Sequence, residues 1–235
     1  FLPGLHPTPS GMQAEGGLVL RHIDGDEFSQ VLPDVVMVGS IEALPVDLDG
    51  APHLALLIDL GTSEESIFPT VALALYAMAG EPRLVDVVDV TGDQQVSFAS
   101  PPKVQVGPRD EILLVSASHG NSNQYYDITT LIGVQAGALS AIDSVSMLSD
   151  LYCGVRRIQS LAVKAAEAGP EGKWPLELTV TDELAHEGEP CQGMVLPDPF
   201  VATYSARYVW SASLGAYVAP DGAWEDLEAV NFERF

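Results

Sequence analysis

Positive charge is what this chain has least of. Ten Lys and Arg stand against 33 Asp and Glu, a formal charge of −23 over 235 residues, and lysine occurs only as Lys103, Lys164 and Lys173. A field of that sign repels nucleic-acid phosphates and anionic lipid. No run of Lys or Arg offers a local exception, so neither nucleic acid nor membrane insertion is expected. Long apolar runs are missing as well: none approaches the roughly 20 residues that a membrane-spanning helix needs. Cysteine appears only as Cys153 and Cys191, outside any C-x-x-C or Cys/His cluster, which speaks against zinc. No spacing completes a catalytic, metal or cofactor motif.

What is present is apolar. Hydrophobic residues make up 47% of the chain, and mean hydropathy is +0.18. Acidic disordered proteins are poor in such residues, so the composition describes a folded core under an acidic surface. One large β domain is expected at this length. The chain begins at Phe1, followed by the turn-rich LPGLHPTPSG. A removed secretory signal is the economical expectation, and an engineered truncation would look the same. A Cys153–Cys191 disulfide suits the periplasmic or extracellular location this implies, two buried free thiols being the alternative.

Period-two alternation runs through PHLALLIDLG, TVALALYAMAG, RLVDVVDVTG, EILLVSASHG, ITTLIGVQAG, ALSAIDSVSML, LELTVTDEL and FVATYSARYVW. These read as strands ended by Gly, Asp or Ser. They recur in order: residues 54–90 and 111–147 each contain a strand, a polar turn, a strand ending in Ala-Gly and a third strand. A looser copy spans 176–222, and a partial one opens in GGLVLRHIDGDEFSQVLP. The expected fold is mainly β. Antiparallel meander repeats form either a propeller-like arrangement or a sandwich or curved sheet, with 1–18 as an extended segment and 19–235 as a single domain. AWEDLEAVNFERF carries Trp224, Leu227, Val230 and Phe232 at helical spacing, with Asp221 placed to cap, and predicts a short C-terminal helix. RRIQSLAVKAAEAG has helical propensity, but the strand PLELTVTDEL beyond it favours a hairpin.

The stretch SASHGNSNQYYD, Ser116 to Asp127, is the richest in chemistry. Gly120-Asn121-Ser122-Asn123-Gln124 comes within one residue of a G-x-S-x-G nucleophile elbow, with Gln124 in place of the second glycine and a strand rather than a helix following. His119 and Asp127 are the catalytic candidates, as a base and its orienting acid. Asn121, Asn123 and Tyr125 are the candidates for holding a ligand. The matching turn in the preceding repeat, GTSEESIFP, lacks the histidine, and a polar inter-strand turn accounts for both stretches. His186-Glu187 begins H-E-x-x-H, but Pro190 occupies the second histidine position.

Acidic turns invite calcium, which takes several oxygen ligands from one loop. Asp47 and Asp49 precede Gly50, Asp89 and Asp93 flank Gly92, and Asp24, Asp26 and Glu27 surround Gly25. These loops resemble the D-x-D-G and D-x-x-G-D loops of FG-GAP/VCBS-type propeller repeats. That resemblance implies calcium held by Asp47, Asp49, Asp89 and Asp93. The sequence departs from the family where another acid would follow the glycine: His53 stands near that place in one loop, and Gln94, Gln95 and Val96 follow Asp93 in another. Solvated turn acids are the alternative.

CGVRRIQ, the later EPCQG, YSARYVW and the closing NFERF resemble a group of uncharacterised secreted bacterial proteins with Cys-Gly, a distant Cys, Tyr-x-Trp and a terminal Asn-x-x-Arg. That resemblance implies that the two cysteines pair, and it carries no activity. Tyr204, Tyr208 and Trp210 share strand parity, with Tyr217 and Trp224 nearby, an arrangement that either stacks a sugar or packs the terminal helix. The expected function is an exported binding or structural module that engages another protein and needs no cofactor. A hydrolase using His119 and Asp127 and a calcium-dependent carbohydrate binder are the alternatives.

Overall fold

The alternating runs become strands in the computed structural model, which describes residues 2–9, 11–62, 69–92, 94–120, 124–166 and 172–233, the side chains of 26–28 excepted. The described strands form three sheets. The smallest contains β1 (His6–Thr8), β2 (Gly11–Glu15) and β5 (Val35–Val38). A six-stranded sheet has the spatial order β4 (Gly25–Val31), β3 (Val19–His22), β9 (Arg83–Asp89), β8 (Pro69–Ala77), β7 (Ala51–Thr62) and β6 (Ile41–Leu48). An eight-stranded sheet follows chain order. It contains β10 (Gln95–Gly107), β11 (Asp110–Gly120), β12 (Gln124–Gln135), β13 (Ala138–Tyr152), β14 (Val155–Ala165), β15 (Leu176–His186), β16 (Phe200–Ser211) and β17 (Ala216–Val218). Pairing is antiparallel except between β3 and β9, where His22 lies beside Asp89.

Both faces of the central strands are apolar, and the alternation sends each set to a different core. On β8, Val71, Leu73 and Leu75 meet Leu113, Val115 and Ile132 of the large sheet. Ala72 and Ala74 on its other face pack with Ala14 and Val36 of the small sheet. On β11, Ile112 and Leu114 point away from the first core and meet Leu176, Leu178 and Tyr208. The large sheet therefore curls, so that its later strands cover the back of β11–β13. The β sheets stack in successive layers, each joined by a strip of Leu, Val and Ile.

Residues 54–90 fall on β7, β8 and β9, and 111–147 on β11, β12 and β13. The two meanders face each other across one core, and among the described residues no closed or radially arranged sheet is seen, which corrects the propeller-like alternative. Each meander is extended sideways by further strands rather than ending as a narrow blade, and broad sheets with apolar faces bury them by stacking. Residues 176–222 carry β15, β16 and β17 in the same sheet as the second meander. Segments 6–8 and 11–15, inside the expected N-terminal extension, are β1 and β2.

RRIQSLAVKA forms β14, paired with β15 from Val155 beside His186 to Ala165 beside Leu176, as a hairpin requires. The C-terminal helix α1 (Glu225–Phe232) starts four residues beyond Asp221, and its N-cap position is Trp224, without a side-chain cap. Leu227 and Asn231 are its buried positions, with Trp224 buried at the N-cap, while Phe232 is 82% exposed. The helix thus presents an i, i+3, i+7 stripe. Asn231, where a hydrophobic residue was expected only at the flanking positions, reaches into a polar network.

Cys153 and Cys191 are joined, with Cα atoms 4.8 Å apart. Cys153 and Gly154 turn β13 into β14 with φ of 47° and 81°, the positive pair of a tight two-residue hairpin. The disulfide pins the connection that follows β15 to this turn, where Glu187 N also donates to Gly154 O at 2.9 Å.

Candidate functional site

The register of β11 with β12 decides the fate of the catalytic candidates. His119 pairs with Tyr126 and Ser118 with Asp127. The His119 and Tyr126 rings stack at 5.3 Å with 8° between planes. Neighbours along a strand project to opposite faces, so Asp127 leaves the sheet on the face away from His119. The two cannot form a base and its orienting acid, which corrects that expectation. Asp127 instead accepts from Ser116 Oγ at 2.5 Å and from Thr129 Oγ1 at 3.1 Å. Tyr125, 45% exposed, pairs with Gly120. Asn121 and Asn123 lie outside the described residues.

The acid loops are also separated. Asp47 pairs with Pro52 at one end of β7, whereas Asp89 lies beside Ala72, itself beside Ile58. Six residues of strand put about 20 Å between those rows. Asp49 accepts from Lys173 Nζ at 3.2 Å, and Lys173 also pairs with Asp110 and lies 4.8 Å over the Trp210 ring. Asp89 is buried and accepts from Gln30 Nε2 at 2.5 Å, from Thr91 N at 2.8 Å and from Thr91 Oγ1. Three of its about four lone-pair sites are taken up by protein donors. Asp93 lies outside the described residues. Among the described residues no group of three His, Cys, Asp or Glu is placed to hold a metal.

The late aromatics face the core. Tyr208 donates to Asp143 and accepts from Trp224 Nε1 at 2.9 Å. Burial, with the Asp143 hydrogen bond and charge second, pushes the Tyr208 hydroxyl above the ordinary tyrosine range. Tyr217 donates to Trp174 O at 2.8 Å, and burial raises it likewise. The space between Trp210, Tyr217 and Lys173 is about 40 Å³, room for a few waters at most. Trp210 meets Tyr217 edge to face at 5.3 Å, so these rings pack against each other as well as against Lys173.

A feature the strand pattern did not reveal is the free edge of β13. β14 pairs with β13 only between Ser149 and Tyr152. Before that point, the backbone groups of Ser144, Ser146 and Leu148 face away from β12. Leu148 N donates to Gln159 Oε1 at 2.8 Å, and Ser146 O accepts from Asn231 Nδ2 at 3.2 Å. Ser144 N is covered by its neighbour Asp143, at 2.7 Å. Ser144 O and Ser146 N remain, with no partner among the described residues.

This edge stands as a ridge between two concavities. One, about 280 Å³, lies on the Ser144 side-chain face against Asp24, Thr91, Val115 and Ile128. The other, about 260 Å³, lies beside Val145 against Trp224, Glu228 and Phe232. Asp24 and Glu228 mark the two rims, His22 lines the first concavity 3.6 Å from Asp24, and among the described residues neither concavity contains Lys or Arg.

A buried network holds α1 beside the ridge. Asp182, fully buried, receives Arg157 through Nε at 2.9 Å and Nη2 at 2.5 Å, and Gln159 Nε2 at 3.2 Å. Gln159 Nε2 also donates to Asn231 Oδ1 at 2.7 Å. The hydrogen bond to Asp182 is the largest influence holding the Arg157 guanidinium above its ordinary pKa.

Comparison with known proteins gives no match: no family model, no curated protein and no solved structure aligns significantly with the chain. The functional reading therefore rests on the geometry above.

Proposed function

We propose that the chain is an exported, non-catalytic binding module that engages another protein by accepting an extended, basic segment along the free edge of β13. The observation that carries this reading is the pair Ser144 O and Ser146 N, exposed on a ridge with a concavity on either side. Strand addition uses such an edge: main-chain bonds supply affinity, and alternate side chains enter pockets on opposite faces. An antiparallel partner would need both groups of one residue. Here one residue lends only its carbonyl and the next but one only its amide, the set that a single residue of a parallel strand satisfies.

Charge complementarity supports the basic partner. Asp24 and Glu228 border the concavities, no Lys or Arg among the described residues lines them, and the chain carries −23 overall. The disulfide supports an oxidising location. No helix among the described residues is long and apolar enough to cross a membrane.

The test titrates the isotopically labelled chain with an alternating Lys-Val peptide. The Ser146 amide is expected to shift and to gain protection from exchange. Ser146→Pro, which removes that donor at an edge position, abolishes binding while leaving the remaining spectrum intact. Phe232→Ser, at an exposed helix position, weakens it several-fold. Equal binding of a Glu-Val peptide, unchanged affinity in both variants, or shifts confined to another surface would overturn the proposal.

A further inference from the structure

A second site is built where the large sheet opens, on the face that Asp127 occupies. Phe98 of β10 pairs with Val115 and Lys103 with Leu113, so residues 99–102 bulge out opposite Leu114. Bulges of this kind move a strand off its neighbour and make room for something else. On the other side β14 has parted from β13, and Leu161 and Val163 lean over Met147. The result is a cavity of about 200 Å³, walled by Leu114, Met147, Leu161 and Val163, with Ser116, Asp127 and Thr129 as its polar side.

The charge balance of this cavity is unusual. Asp127 is half-buried, and Ser116 and Thr129 are both neutral donors that fix its orientation without cancelling its charge. Among the described residues no Lys, Arg or His lines the cavity. A carboxylate on one wall with Leu, Met and Val on the others offers a cation a charge-assisted contact and its body an apolar surface. A carboxylate has about four lone-pair sites, and the two hydroxyls occupy one on each oxygen, which leaves both oxygens able to accept again.

We infer that this cavity binds a small organic cation, a primary ammonium carried on a compact apolar body, with the ammonium on Asp127 and the body against Met147, Leu161 and Val163. Size agrees: an apolar cavity of about 150 Å³ holds benzene, so this one suits a ring with one short ammonium arm. The long-range field agrees too, since a chain of charge −23 concentrates cations at its surface. The site lies on the opposite face of β11 and β12 from His119 and is separate from the β13 ridge, so it stands or fails independently of the proposed partner.

The probe is benzylammonium chloride, added to the full chain carrying ¹³C-methyl methionine. Of the five methionines, Met147 alone lines this cavity. Its methyl signal is expected to shift saturably while those of Met12, Met37, Met78 and Met194 stay in place. Benzyl alcohol, the neutral analogue, binds at least about tenfold more weakly, as loss of a charge-assisted contact predicts. Asp127→Asn brings the same tenfold loss. Val163→Phe, which fills the cavity without touching Asp127 and covers the case in which the Asn variant does not fold, removes the response. A Met147 signal unmoved by millimolar benzylammonium, benzyl alcohol binding as tightly, or a response that survives Val163→Phe would overturn the inference.

Discussion

Replacing Arg157 by Ala exposes how much of the fold hangs on one buried charge. Asp182 is fully buried, and its two oxygens take both Arg157 nitrogens. Without the guanidinium the carboxylate keeps only Gln159 Nε2, at 3.2 Å. Removing one partner of a buried ion pair costs about 3–5 kcal/mol, because the other charge is left uncompensated in a low-dielectric site. That is a large fraction of the roughly 5–15 kcal/mol that stabilises a typical domain. With an m-value of about 2 kcal/mol/M, the urea midpoint should fall by about 2 M, read from the fluorescence of the three tryptophans. The Arg157→Met, Asp182→Leu double variant removes both charges and should return to within about 1–2 kcal/mol of the parent. A single variant within about 1 kcal/mol of the parent, or a double variant no better than the single, would refute the reasoning.

Two further outcomes follow from other buried groups. Tyr208 and Tyr217 are raised above their unfolded value of about 10, so the folded state holds their protons while the unfolded state has lost them; stability should be flat below about pH 10 and then fall by up to about 2.7 kcal/mol per pH unit with both intact. Tyr208→Phe should flatten that fall and, by stripping Trp224 Nε1 of its acceptor, cost about 1–3 kcal/mol at neutral pH; an unchanged alkaline slope contradicts the assignment. Cys153→Ser opens a loop whose ends are 38 residues apart, for which chain entropy predicts a loss of about 4 kcal/mol; thermal melting with and without reductant measures it, and a variant that melts with the oxidised parent defeats the estimate.

Sequence alone established the strands, because a period of two and Gly-rich turns are local properties that depend on neither partner nor layer. It also supported the short C-terminal helix and a disulfide reading for Cys153 and Cys191. The repeated meanders of 54–90 and 111–147 were legible for the same reason, since each residue's alternation survives whichever sheet it joins. What tertiary structure decided is which face meets which neighbour. A one-residue change of register would have put His119 and Asp127 on the same side of the sheet, and no local pattern states that register when turn length and cross-strand packing set it. Asp47 and Asp89 looked alike as turn acids, yet strand geometry places them about 20 Å apart. The bulge at 99–102 and the early parting of β13 from β14 have no signature in alternation. They arise because a broad sheet must curl to bury both its faces, and that curl creates the cavity around Asp127 and leaves the backbone of Ser144 and Ser146 exposed.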